Sequence, residues 1–517
     1  MSAEEPQTAP ITVPGLDAQV HMMGTAPGTN VIGGGLVFRR PADLPVTELV
    51  SRIKARVHST LDLPPGMRSV AVPIPQAEPF HALIGDQPVD LDAHLDVRGI
   101  DTTVSLERAR DLALISMETP LNMNRPLWGM TLVPAIEGDL ALIFMKVHHF
   151  IQDGVLGLAA AISLLIDAAP DAGLRTPPET KKVARPSQEQ IRAASQELLN
   201  RRYDLVIAPL EGLLQPTKPS TDSLAGTVRD GVSDPIGTAS SLGFGFMRRA
   251  KEAVDAVKGS DLSQKWADAV KDAHEFTDIY LKEIAVKPSE LLARRSDDRG
   301  IAVVEVPRDS VTSCQDVLGE HVSFNDVAVT ATVLALREIL PPEAREESLV
   351  IDVPVSLSLQ TGGEQQFDSA AAMMVLQVPL SGDDPAELMR LVHSQSKERK
   401  SRDAKTMARM MQKAAVLPLR EYKEATGRLW SRGNLFLSNL PGPDHPFFLA
   451  GNEVIGAFGL GQLRGHSALR VIIVSYADKA TWSLMYDRQV LDGQALADAI
   501  PAAVERIAAI GASPQGT

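Results

Sequence analysis

The run "LALIFMKV", Leu140 to Val147, most constrains what this chain can become. It reads as one continuous apolar run, with no alternation between a wet and a dry face, and this suits a strand buried on both sides. The next apolar run, "VLGLAAAISLLIDAA" from Val155, suits a buried helix. A strand covered on both faces and followed by a helix points to an α/β (α+β) fold. The 517 residues exceed what one core holds, since single cores stop growing at roughly 250–300 residues.

The pattern along the chain predicts three regions: an N-terminal domain over 1–185, a partly helical connector over 186–298, and a C-terminal domain over 299–517. In the first, "GGGLVFRR" reads as a strand after a glycine turn, "DLPVTELVSRIKARVHSTL" as a helix capped by Asp43, and "NMNRPLWGM" as a loop after a second helix, "TTVSLERARDLALISMETPL". The connector is rich in Pro, Ser, Thr and Lys and includes helical patterns. In the third, "GIAVVEVPRDSV" reads as a strand ended by Pro307, "NDVAVTATVLALREIL" as a helix closed by Pro341 and Pro342, and "LRVIIVSYADKATWSLMYDR" as a hairpin turning at "ADKA".

Composition narrows the function. A formal net charge of −14 opposes binding to a polyphosphate backbone, so nucleic acid is not an expected partner. Cys314 is the only cysteine, which rules out an intrachain disulfide and a thiolate metal cluster and fits a reducing cytoplasm. "MSAEEPQTAPITVPG" lacks the apolar segment of a conventional signal peptide. The longest apolar run contains a serine and an aspartate and falls short of the roughly 20 residues that span a bilayer.

Directly after the buried run comes "HHFIQDG", with His148, His149, Asp153 and Gly154. Three readings of this strand-to-helix turn compete. The histidines can be hydrogen-bonded core residues, with Asp153 a helix cap and Gly154 a residue of unusual backbone freedom. They can be metal ligands with Asp153, although adjacent strand residues diverge and ligands must converge. Or one imidazole is a general base, because a pKa near 6.5 leaves it able to accept a proton at neutral pH. Periodicity alone leaves all three open.

The string His148-His149-x-x-x-Asp153-Gly154 resembles the HHxxxDG motif of the CoA-dependent acyltransferase superfamily. Its company is more specific. "GLDA" at 15–18, "NRPLWGM" at 124–130, "FNDVAVTATVLALR" at 324–337, "VPVSL" at 353–357, "NLFLSNLPGP" at 434–443 and "VIIVSYADK" at 471–479 are similar, in order, to motifs of the bacterial wax ester synthase/diacylglycerol acyltransferase family.

That resemblance implies two chloramphenicol-acetyltransferase-like domains with a tunnel between them. It implies transfer of a long-chain acyl group from acyl-CoA to diacylglycerol or a fatty alcohol. His149 would be the general base, with His148 and Asp153 in support and Gly154 shaping the turn. Asn325 would steady the oxyanion; its bland reading is a helix N-cap. Asp326 would be a structural or capping residue, and Trp128 would support the site; the bland reading of Trp128 is a packed aromatic rather than a ligand contact. No cofactor or metal is implied, acyl-CoA being a co-substrate. The implied location is the cytoplasm, with room for peripheral contact at the inner membrane or lipid droplets. Departures from the family pattern after "VPVSL" and at "QLRGHSALRV" fall on the substrate-binding side. They keep two alternatives open: a different acceptor (a polyketide alcohol, a sugar or an amine) or a non-catalytic lipid-binding homologue.

Overall fold

The computed structural model describes the chain from residue 8 to 511, apart from 15–18, 20–21, 23–27, 65, 76–79, 101, 152–163, 177–182, 197–289, 357–370, 415–432 and 464. The predicted helix after the histidine motif lies outside the described residues up to 163, and its expected end is instead a strand at Ile166–Asp167; nearly all of the connector lies outside them as well.

The run Leu140–His148 forms a strand and is buried at every residue but the first. It lies between two antiparallel neighbours, Trp128–Ile136 and Val31–Arg39. Trp128 therefore opens a strand rather than sitting in the loop that the sequence suggests. The glycines of "GGG" likewise lie inside the strand Val31–Arg39 and not in a turn before it. Their missing side chains are filled from across the sheet. A Cβ on Gly33 would come 2.4 Å from the ring of Phe144, and one on Gly35 would come 2.2 Å from that of Phe458. The two phenylalanines lie over the bare backbone and seal the sheet.

Among the described residues this sheet has seven strands, in the order Leu95–Val97, Trp128–Ile136, Leu140–His148, Val31–Arg39, Asn452–Gly461, Phe448–Leu449 and Ile166–Asp167. Two of these strands come from beyond residue 299, so chain on both sides of that point shares one sheet. A second sheet of six strands runs Ala371–Pro379, Ser348–Ser356, Leu435–Leu440, Leu469–Tyr476, Lys479–Asp487 and Arg299–Pro307. The hairpin read from the sequence is present, and Ala477 makes its turn at a φ of 50°. Three short strands, Ile11–Thr12, His81–Ile84 and Val70–Pro73, form a third sheet.

Helices complete two main cores. Helix Val46–Thr60 covers the first sheet with Leu49, Ile53 and Val57; its N-cap is Pro45, with no side-chain cap, so Asp43 does not have the predicted role. Helices Phe324–Ile339 and Gly493–Ala508 pack on the second sheet, the former buried from Asp326 to Arg337 as its uniformly apolar sequence requires. The long helix Pro385–Ala414 guards the free edge of that sheet. Its Gln395 donates to the Gln377 carbonyl at 2.7 Å and accepts from the Gln377 N–H at 2.9 Å, occupying edge groups that could otherwise pair with another chain. The two large sheets meet directly where the Gly459 N–H donates to the Ser483 hydroxyl at 3.2 Å, and Arg299 of the second sheet pairs with Glu118, the last residue of helix Leu106–Glu118, at 2.7 Å. No helix among the described residues is long and apolar enough to cross a membrane.

Candidate active site

His148 is the last residue of its strand and pairs with Val31. Its ring is buried, and its Nδ1 accepts a hydrogen bond from the Phe150 N–H at 3.1 Å. An Nδ1 that accepts has no proton of its own, so in this geometry the imidazole is neutral and protonated on Nε2. The Ile151 N–H closes the turn on the His148 carbonyl at 3.0 Å. Within this tight corner His148, Phe150 and Ile151 are 1%, 1% and 2% exposed, whereas His149 is partly exposed. His149 is thus the one residue of the four that is not fully enclosed, although its Nδ1 is buried.

The backbone of the pair is pinned from two sides. The His148 N–H donates to the Leu127 carbonyl at 2.9 Å, and the His149 N–H donates to the Asn30 carbonyl at 2.8 Å. Leu127 belongs to the "PLW" stretch, so that segment acts on the histidines through its backbone. Trp128 braces it. The indole is 2% exposed, its N–H donates to the Met67 carbonyl at 2.8 Å, and it stacks on His94 with ring centroids 4.1 Å apart. His94 in turn holds the Trp128 carbonyl through Nδ1 at 2.9 Å, and burial lowers its pKa.

One residue of this corner gave no signal in the sequence. Lys146, two residues before His148 on the same strand, is 5% exposed. Its ammonium donates to the Ser116 carbonyl at 2.5 Å and to the Thr119 carbonyl, at the C-terminal end of helix Leu106–Glu118. Helix ends leave such carbonyls unsatisfied and favour positive charge beside them. Burial, and secondarily Arg98, lowers the Lys146 pKa to about 8.

The second group of predicted residues stands at the start of helix Phe324–Ile339. Ser323 is the N-cap, its hydroxyl accepting from the Asp326 N–H while Asp326 Oδ2 accepts from the Ser323 N–H at 3.0 Å. Asn325 is therefore not the cap; it is the second helical residue, partly exposed, and its amide is left uncommitted to the capping box. Asp326 is buried and also meets His393 Nδ1 at 3.0 Å, a contact with no sequence signal. His148, His149 and Trp128 thus share one corner of the first sheet, while Asn325 and Asp326 stand in the first turn of a helix on the second. Asp153 and Gly154 lie outside the described residues. Among the described residues no group of three or more His, Cys, Asp or Glu could hold a metal ion.

Residues 14–328 match the model of the wax ester synthase/diacylglycerol acyltransferase catalytic domain, a span that contains both groups. The chain belongs to the wax ester synthase/diacylglycerol acyltransferase family. Residues 369–508 match the C-terminal domain of the same family. Among its relatives, a Mycobacterium tuberculosis protein named as a diacylglycerol O-acyltransferase is 25% identical over 86% of this chain and 82% of its own. A second from that organism, with the same kind of name, is 25% identical over 83% and 81%. The solved wax ester synthase/diacylglycerol acyltransferase from Marinobacter aquaeolei VT8 shares the fold, with a TM-score of 0.60 at 15% identity, covering 96% of this chain and 98% of that one. Acyl transfer is the chemistry of this wax ester synthase/diacylglycerol acyltransferase family member.

Proposed function

We propose that this enzyme moves a long-chain acyl group from acyl-CoA to the hydroxyl of a diacylglycerol or fatty alcohol, with His149 as general base. The observation that carries the assignment is the contrast within the turn: of its four residues His149 alone is not fully buried, and its backbone is held by the Asn30 carbonyl.

His149 takes the proton of the acceptor hydroxyl as its oxygen attacks the thioester carbonyl carbon. The negative charge passes to the carbonyl oxygen, where the Asn325 amide is the proposed donor; a preorganised donor of this kind contributes about 2.7–4 kcal/mol in comparable sites. Collapse of the tetrahedral species breaks the C–S bond, and the protonated His149 returns the proton to the departing thiolate. The products are an ester and free CoA, with no covalent enzyme intermediate. His148 supports the turn from inside the core.

No cofactor enters this scheme, and acyl-CoA is consumed as a substrate. We place the reaction in the cytoplasm, with a lipid acceptor reached by peripheral contact at the inner membrane or lipid droplets. The decisive assay follows free thiol released from palmitoyl-CoA with dioleoylglycerol or hexadecanol, with mass spectrometry of the product. Wild type is expected to form the ester and His149→Ala to lose at least about 100-fold in kcat. Equal thiol release by the two proteins would overturn the assignment.

A further inference from the structure

The contact between Asp326 and His393 is unused by the chemistry above, and its surroundings make it unusual. Asp326 is 2% exposed and sits in the first turn of helix Phe324–Ile339. Its Oδ2 receives two hydrogen bonds, from the Ser323 N–H and from His393 Nδ1, each 3.0 Å long. An ionised carboxylate only accepts, so Nδ1 carries the proton in this pair. Oδ1 is buried and receives no hydrogen bond from any described residue. The carboxylate is therefore held from one side, and its position depends on those two donors.

His393 belongs to a different helix, Pro385–Ala414, whose Leu388, Met389 and Val392 are buried in the core that helix Phe324–Ile339 shares. Ser323 fixes Asp326 only to its own turn. His393 adds an anchor on a neighbouring element. Between the two capping positions, Ser323 and Asp326, stand Phe324 and Asn325.

We infer that His393 is a positioning residue for acyl transfer: through Asp326 it fixes the helix turn that presents the Asn325 amide. This rests on the oxyanion role proposed for Asn325. A donor works only where it is preorganised, and a displacement of about 1 Å can cost about 100-fold in rate. A substrate-binding role would raise KM; a positioning role lowers kcat.

The test compares four variants of the full chain by thiol release from palmitoyl-CoA, with thermal midpoints measured alongside. His393→Ala is expected to lower kcat about 10- to 100-fold and to leave KM for acyl-CoA within about two-fold. His393→Asn places an N–H donor at the δ position and is expected to recover most of kcat; His393→Gln, whose amide lies one methylene farther out, is not. Asn325→Ala shows whether the underlying reading holds. If Asn325→Ala keeps its kcat, the oxyanion role and this inference fall together. If Asn325→Ala is impaired while His393→Ala turns over within two-fold of wild type, the inference alone is overturned. Should His393→Ala not fold, equal kcat values for His393→Asn and His393→Gln would overturn it.

Discussion

The Phe150 N–H donates to Nδ1 of His148 at 3.1 Å, so the buried imidazole closes the turn that carries its neighbour. Replacing His148 with Ala leaves that buried N–H without its acceptor, which costs about 1–3 kcal/mol. Asn puts a carbonyl oxygen close to the lost Nδ1. His148→Asn is therefore expected to keep a thermal midpoint near wild type where His148→Ala drops, and to retain more of kcat. Thermal melts and thiol release on the same preparations check this. Equal midpoints for the two variants would show that the ring contributes through bulk alone.

Trp128 tests the packing role of the "PLW" stretch. At 2% exposure the indole presents no face to a ligand. Trp128→Phe keeps an aromatic ring against His94 but leaves the Met67 carbonyl unsatisfied, and about 1 kcal/mol of stability should be lost. Activity per folded molecule, and KM for acyl-CoA, should stay within two-fold of wild type. A rise in KM without a change in stability would make Trp128 a substrate contact.

Lys146 predicts a pH dependence of known sign. Its pKa falls from 10.5 in the unfolded chain to about 8 in the fold, chiefly through burial. Between these values the unfolded chain holds a proton that the folded chain has released, so this group makes stability rise with pH. Below about pH 8 the cost of burying the charge is fully present. Lys146→Met removes that dependence along with the bonds to the Ser116 and Thr119 carbonyls. The stability of wild type relative to Lys146→Met should therefore increase between about pH 8 and 10.5, as read from paired urea titrations. A constant difference across that range would contradict the shift.

How much of this was legible in the sequence depends on the distance between the residues involved. The strand Leu140–His148 was readable because burial on both faces leaves a continuous apolar run. The crossing of Asn452–Gly461 into the first sheet was not. It crosses together with Phe448–Leu449, whereas the strands before and after that pair, Leu435–Leu440 and Leu469–Tyr476, lie in the second sheet, and local pattern does not say which partner a strand will choose. Asn325 and Ser323 are both capable N-caps, and the reciprocal bond from Asp326 selected Ser323. At the candidate site, His149 is proposed from its motif and its neighbours. His393 and Lys146 were missed because each matters through a partner remote in sequence, Asp326 in one case and the carbonyls of Ser116 and Thr119 in the other.

Arg56 and Asp167 form an enclosed ion pair at the edge strand Ile166–Asp167 of the first sheet, at 2.7 Å with side chains only 10% and 9% exposed. The guanidinium also donates to the Ile166 carbonyl at 2.5 Å, and Thr60, one turn further, donates to the Leu164 carbonyl at 3.0 Å. Helix Val46–Thr60 thereby grips the chain where it re-enters the first sheet after the histidine motif. Burial raises the Asp167 pKa, while Arg56 opposes the rise, so desolvation prevails over attraction. Such a pair adds little net stability over an apolar replacement, yet removing one member strands the other charge at a cost of about 3–5 kcal/mol. Asp167→Ala is therefore expected to destabilise strongly, and Arg56→Met with Asp167→Leu to be more stable than Asp167→Ala alone. Urea unfolding of the three proteins decides it: a double variant weaker than the single would mean that the Ile166 carbonyl, not the carboxylate, is the partner that matters to Arg56.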